Sequence, residues 1–229
     1  CNAVIESLEN NDIPGLDEDL KTRFLAESLF IRAHYFYHLV QQFGDIPMPL
    51  KPTNSVETTA HKTKVDEVWN QIVTDLEFAV ENLPETYQAS EFGHITKYAA
   101  MHHLSRVYLT LKRSDDDLKK ALNYAEQVIN SGKYSLVKSH AELWDINNKN
   151  NSEVLFSVLY TQNAELNGDG NTAHMYFCSA YSEEHPAVKR VIEYGRPWSR
   201  ERSSDFAISL FDKTKDQRWD DCFISRWNV

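Results

Sequence analysis

The chain has 229 residues, 41% of them hydrophobic and 12% aromatic, enough to bury one substantial core or two small ones. With 24 Lys and Arg against 34 Asp and Glu the formal charge is −10, and the absence of a dense basic run argues against a nucleic-acid partner. Three cysteines without C-x-x-C spacing, Cys1, Cys178 and Cys222, argue against a zinc site or a disulfide framework while leaving oxidation of one pair open, and no apolar run reaches membrane-spanning length.

Residues 2–8 read as the end of a helix, and the stretch from Asn10 to Gly15, which contains Pro14, reads as a polar turn. Asp17 or Asp19 suits the N-cap of the next helix, and Glu18 adds charge near its positive end. From Phe24 to Phe43 one helical stripe (Leu25, Leu29, Phe36, Val40, Phe43) lies beside a second (Ala26, Phe30, Ala33, Tyr37). A helix apolar on nearly every side is expected to be the most buried in the chain. Arg32, in the middle of this surface, requires a carboxylate or carbonyl partner, so it reads as half of an internal ion pair. Gly44 supplies a C-cap, and Pro47, Pro49 and Pro52 make a rigid extended exit.

The polar stretch from Asn54 to Thr63 is a loop. A second helix runs from Val65 to Leu83, with Val65, Val68, Trp69, Ile72, Leu76, Ala79, Val80 and Leu83 on one face and Pro84 as its stop. Its AVENLP ending matches the close of a tetratricopeptide repeat. A third helix, Ile95 to Leu111, turns Tyr98, Met101, Leu104, Val107, Tyr108 and Leu111 inward. Ser114 to Asp117 then forms the turn and cap of a fourth, Leu118 to Ile129, whose face is Ala121, Leu122, Ala125, Val128 and Ile129. Hairpins that alternate small and large apolar residues are what stacked helical repeats need, and unequal loops make these repeats degenerate. Val154 to Tyr160 is a β-propense apolar run, expected as a strand or an extended buried segment. Thr161 to Arg202 is aromatic, polar and loop-like, and Asp205 to Phe211 returns to a short helix.

Several patterns are of types that can carry chemistry. His34 and His38 stand at i and i+4, a metal-ligand spacing, but without a third ligand or an HExxH motif they read as ordinary histidines, and His102 and His103 point apart. Asn167, Asp169 and Asn171 around Gly168 and Gly170 resemble part of a calcium loop that lacks its closing Glu, so a Gly-Asp turn is the preferred reading and no metal site is assigned. Asp115, Asp116 and Asp117 at a helix start are capping chemistry. No G-x-S-x-G, phosphate loop or paired acidic motif stands out, which disfavours an enzyme, and no cofactor is expected. The aromatic loops remain. Tyr160, Tyr176, Phe177, Tyr181, Tyr194 and Trp198 are interleaved with Asn163, Asn167, Asn171, Arg196 and Arg200. Flat rings flanked by amides and guanidinium groups suit the C–H face and hydroxyl fringe of a sugar. The candidate ligand set is Tyr176, Tyr181, Tyr194, Trp198, Asn167 and Arg196, with core packing the alternative for Phe177 and Trp198.

The run AESLFIRAHYFYHLVQQFGDIPM resembles the signature helix of the SusD/RagB family, and NAVIES at 2–7 is similar to the element that precedes it. VWNQIVTDLEFAVENLPE at 68–85, GHITKYAAMHHLSRVYLTL at 93–111 and ALNYAEQVINSGKYSLV at 121–137 look like the helices that follow in that family. ELWDINNKNNSEVLFSVLY at 142–160 and GRPWSRERSSDFAISLFDKTKDQRWDDCF at 195–223 resemble its later segments. The order and spacing of these pieces carry the match.

The resemblance implies a Bacteroidetes surface lipoprotein of the starch-binding type. It would bind oligosaccharide without chemistry and serve a SusC-type TonB-dependent transporter at the outer membrane. Membrane attachment would come only through a lipid anchor outside these residues, since Cys1 precedes an internal element of the family and the chain reads as a piece cut at both ends. The alternative is a RagB-like binder for peptide uptake. The expected fold is mainly α: tetratricopeptide-like helical hairpins over residues 1–137, packed against an irregular, loop-rich, ligand-facing part over residues 138–229.

Overall fold

The computed structural model describes residues 1–10, 13–56, 58–161, 163, 165, 170–177, 198 and 200–222. Five longer helices come first: α1 (Asn2–Glu9), α2 (Glu18–Phe43), α3 (Val65–Asn82), α4 (Lys97–Leu111) and α5 (Asp115–Asn130). Short ones follow: α6 (His140–Leu143), α7 (Ala173–Phe177), α8 (Asp205–Ser209) and α9 (Arg218–Cys222). The chain divides into two compact units. Residues 1–136 and 152–157 make a helical unit, and residues 137–151 and 158–229 make the second.

In the helical unit each long helix packs on the next along the chain, α1 on α2, α2 on α3, α3 on α4 and α4 on α5. This is the neighbour-on-neighbour stacking of helical hairpins, so the fold is mainly α and tetratricopeptide-like, as expected. Local chemistry sets the ends of the elements. Asp17 caps α2, its carboxylate accepting from the backbone N–H groups of Asp19 at 3.0 Å and Leu20 at 3.2 Å. Gly44, at φ +68°, turns the chain out of α2 while its N–H donates to the Val40 carbonyl, a conformation costly for any residue with a Cβ. Ser114 caps α5 through the Asp117 N–H, and the three aspartates fall in the first turn, where the helix dipole favours them.

The face read from the sequence of α3 is the face it buries: Val68, Trp69, Ile72, Leu76, Ala79 and Val80 are interior, with Leu83 just beyond the last turn. Arg32 of α2 meets Asp75 of α3 in the expected internal ion pair. Its Nε and one terminal nitrogen each lie 2.8 Å from a carboxylate oxygen, and Gln71 Nε2 donates to the same carboxylate at 2.7 Å.

Three expectations need correction. α2 is not the most buried helix, because Ile31, Tyr35, Leu39 and Phe43, spaced by four, form an outward ridge while α1, α3 and α4 pack elsewhere on it. α4, between α3 and α5, buries eight of its 15 residues, against seven of 26 for α2. On α5, Ala121 and Val128 are buried but Leu122 and Ile129 face outward, since α5 packs chiefly on α4 and needs only a narrow stripe. Residues 154–160 form no strand. Among the described residues the β-type pairing is one isolated antiparallel bridge between Ile46 and Thr63. Leu155 packs on the helical core, whereas Val158, Leu159 and Tyr160 are exposed, because an apolar run with no neighbouring strand gains nothing from β-propensity alone.

Candidate functional site

Two of the six proposed ligand residues, Tyr176 and Trp198, are described, and they meet. Asn171 opens the local structure: its side-chain oxygen accepts from the Ala173 N–H at 3.0 Å, and α7 follows with Tyr176 in its last turn. The chain then returns alongside α7. The Trp198 N–H donates to the Met175 carbonyl at 2.7 Å, and the N–H groups of Arg200 and Glu201 both donate to the Tyr176 carbonyl, at 3.0 and 3.1 Å. These bonds bring the two rings edge to face, with centroids 4.8 Å apart and planes at 87°. The Arg200 guanidinium lies over both, 5.1 Å from the Trp198 ring and 5.8 Å from Tyr176. Trp198 remains 39% exposed and Phe177 stands outward, so neither ring is core packing. Tyr181, Tyr194, Asn167 and Arg196 lie outside the described residues, as do Asp169 and Cys178.

The arrangement holds an indole and a phenol at right angles with a cation beside them. Nothing in it resembles a nucleophile activated by a base. It offers apolar ring surface and hydrogen-bond donors, a chemistry of binding.

The histidines adopt a geometry that sequence reading missed. His34 and His38 are neighbours on α2, with centroids 4.7 Å apart, and His103 of α4 joins them at 5.3 Å from His34. His103 is buried among Phe30, Tyr37 and His34, and its Nε2 has no hydrogen-bond partner. Burial first, then the charges of His34 and Arg106, push its pKa down to about 3, so the ring is neutral at ordinary pH. Burial likewise lowers His34 and His102. Among the described residues no three His, Cys, Asp or Glu side chains are placed to hold a metal ion. A residue four positions after Ala99 on an inward face was the signal for His103, but period alone does not say which helix it will meet.

A third place gathers chemistry-bearing residues that sequence reading passed over, the segment between α3 and α4. The single proton of the Tyr87 hydroxyl is shared between two acceptors, Glu27 at 2.9 Å and the Ile95 carbonyl at 3.1 Å, and His94 Nδ1 lies 2.8 Å from the same Glu27 carboxylate. Arg23 pairs with Glu91 at 3.0 Å and lies over the rings of Phe24 and Tyr87. Burial and the bond to Glu27 raise the Tyr87 pKa, which keeps the hydroxyl a donor.

Residues 1–109 match the model of a SusD-like family described as starch-binding and associating with the outer membrane. SusD-like protein P2 of Formosa agariphila is 30% identical over 200 residues, which cover 85% of this chain and 37% of that protein. A laminarin-binding SusD-like protein superposes with a TM-score of 0.66 at 27% identity, over 76% of this chain and 40% of that one. A crystal structure with xylogluco-oligosaccharide superposes at 0.63 and 26% identity, over 70% of this chain and 32% of that one. The chain spans roughly a third of the length of the curated relatives it matches, 29% to 37%. The signature helix that is now α2, the stacked hairpins around it and these matches agree, and together they support a SusD/RagB family protein.

Proposed function

We propose that this chain is part of a non-catalytic oligosaccharide-binding protein of the bacterial outer-membrane surface, which hands glycan to a SusC-type TonB-dependent transporter and is held there by a lipid anchor. The observation that carries the reading is the Tyr176–Trp198 pair, half-buried on the phenol side and exposed at the indole, with Arg200 across it, which supplies ring surface for sugar C–H groups and a donor for hydroxyls. Tyr181, Tyr194, Asn167 and Arg196 are proposed to complete the face. Relatives that bind laminarin or were solved with a xylogluco-oligosaccharide support a glycan ligand.

Calorimetric titration of laminari- and xylogluco-oligosaccharides into wild type, Trp198→Ala and Tyr176→Ala tests it. Each substitution is expected to weaken binding several-fold, since a stacked ring contributes on the order of 1 kcal/mol beyond its area. Affinity should barely change between low and high salt, because these oligosaccharides carry no charge. Unchanged affinity in both variants overturns the assignment. Peptides that bind in a salt-sensitive manner, with no glycan bound, would move the reading to RagB-like peptide capture.

A further inference from the structure

A cavity of about 290 Å³ opens on the helical unit between the α3–α4 connection and the extended residues 154–157. Its lining includes Tyr87, Phe92, Tyr134 and Phe156, with Gln88 and Lys133 among the polar residues. The rings are held from behind. Tyr87 is fixed by Glu27 and the Ile95 carbonyl, and the Tyr134 hydroxyl lies 3.1 Å from Thr96 Oγ1, so neither ring is free to swing. Phe156 is anchored edge-on against Phe30 at 5.3 Å. Gly93, at φ +106°, bends the chain between Phe92 and His94, both of which line the cavity, and Phe92 is left 46% exposed. Around these rings stand Glu85, Glu91, Gln88, His94 and Lys133, acceptors and donors of both signs.

We infer that this cavity is a second saccharide subsite, taking one neutral pyranose unit of an oligosaccharide. The volume suits a single sugar ring, and its open mouth lets the rest of a chain run out. The carboxylates answer hydroxyl donors while Lys133 and Gln88 answer acceptors, and the opposed charges give no preference for an ionic ligand. The aromatic wall is preorganised, so little ordering opposes binding. This inference rests on the glycan-binding reading above but uses residues wholly separate from Tyr176 and Trp198.

The test uses the full chain as wild type, Phe92→Ala, Trp198→Ala and the double variant, with laminari- and xylogluco-oligosaccharides as probes. Hydrogen exchange is followed over residues 85–96 and 154–157. The expected result is protection of both segments at a fixed, sub-saturating probe concentration, kept in Trp198→Ala and reduced in Phe92→Ala, whose affinity is down about fivefold. If Trp198→Ala removes all binding and these segments gain no protection in wild type, the subsite is overturned while the principal reading stands. If Phe92→Ala alone removes binding, the subsite stands and the Tyr176–Trp198 face falls. Absence of binding by every probe overturns both.

Discussion

Arg32 and Asp75 show what a single buried charge demands. Asp75 is 2% exposed and the Arg32 side chain 10%, so the carboxylate is tolerable inside only because Arg32 donates to both of its oxygens and Gln71 to one of them. Asp75→Ala is expected to destabilise by about 3–5 kcal/mol, because it leaves an uncompensated guanidinium in the interior. The double substitution Arg32→Met with Asp75→Leu should recover most of that loss. Urea midpoints for the three proteins check it, and a single variant as stable as wild type would show that water reaches the pair. The need for a partner was legible from Arg32 alone, since a charge inside an apolar stripe has few fates. Which carboxylate would answer was not, because Asp75 lies 43 residues away on another helix and periodicity carries no pairing information.

At the scale of the element, α2 packs through Ala26, Phe30, Ala33, Phe36, Tyr37 and Val40, all in the main core. The two alanines let α3 approach, and Tyr37 meets Trp69 of α3 edge to face at 5.9 Å. Phe36→Ala is expected to cost about 3–5 kcal/mol, from lost burial together with the cavity left behind. Tyr35→Ala on the outward ridge should stay within about 0.5 kcal/mol. Comparable thermal midpoints for the two variants would overturn the assignment of faces. The stripes of α3 were readable because apolar residues there recur on one side only. On α2 apolar residues recur on both sides, so the sequence could not say which one meets a neighbour. The Tyr176–Trp198 pair was legible as a class of residue in a loop and illegible as geometry. Main-chain bonds across 23 to 25 positions bring the rings together, and no period encodes them.

For the molecule as a whole, the buried imidazole of His103 ties stability to pH. His103 has its folded-state pKa depressed to about 3, while the unfolded chain takes up a proton near 6.5. Between those values the unfolded state binds more protons, so stability is complete above about pH 6.5 and declines as pH falls toward 3. The slope approaches 1.4 kcal/mol per pH unit for one such group, and His34 and His102, also lowered by burial, act in the same direction at the start of the window. Arg106 and the neighbouring imidazoles face His103 and oppose its charging further. Denaturant midpoints measured from pH 7 to 4 should fall more steeply in wild type than in His103→Phe, which fills the same space without a titrating group. Parallel profiles would mean that other groups govern acid unfolding.

The division of the chain is also a matter of timing. Residues 152–157 belong with a helical unit whose other members end at residue 136, and 15 residues of the second unit intervene. At a synthesis rate of about 5–20 residues per second, Leu155 follows Leu136 by roughly one to four seconds, long compared with the folding of small helical domains. During that interval α1 to α5 stand with the surface that Leu155 and Phe156 will cover still open to water. The nascent protein therefore exposes an apolar face that the finished one does not, and a chain paused with residue 136 already emerged and residue 152 still inside the ribosome presents a hairpin stack that a chaperone can recognise.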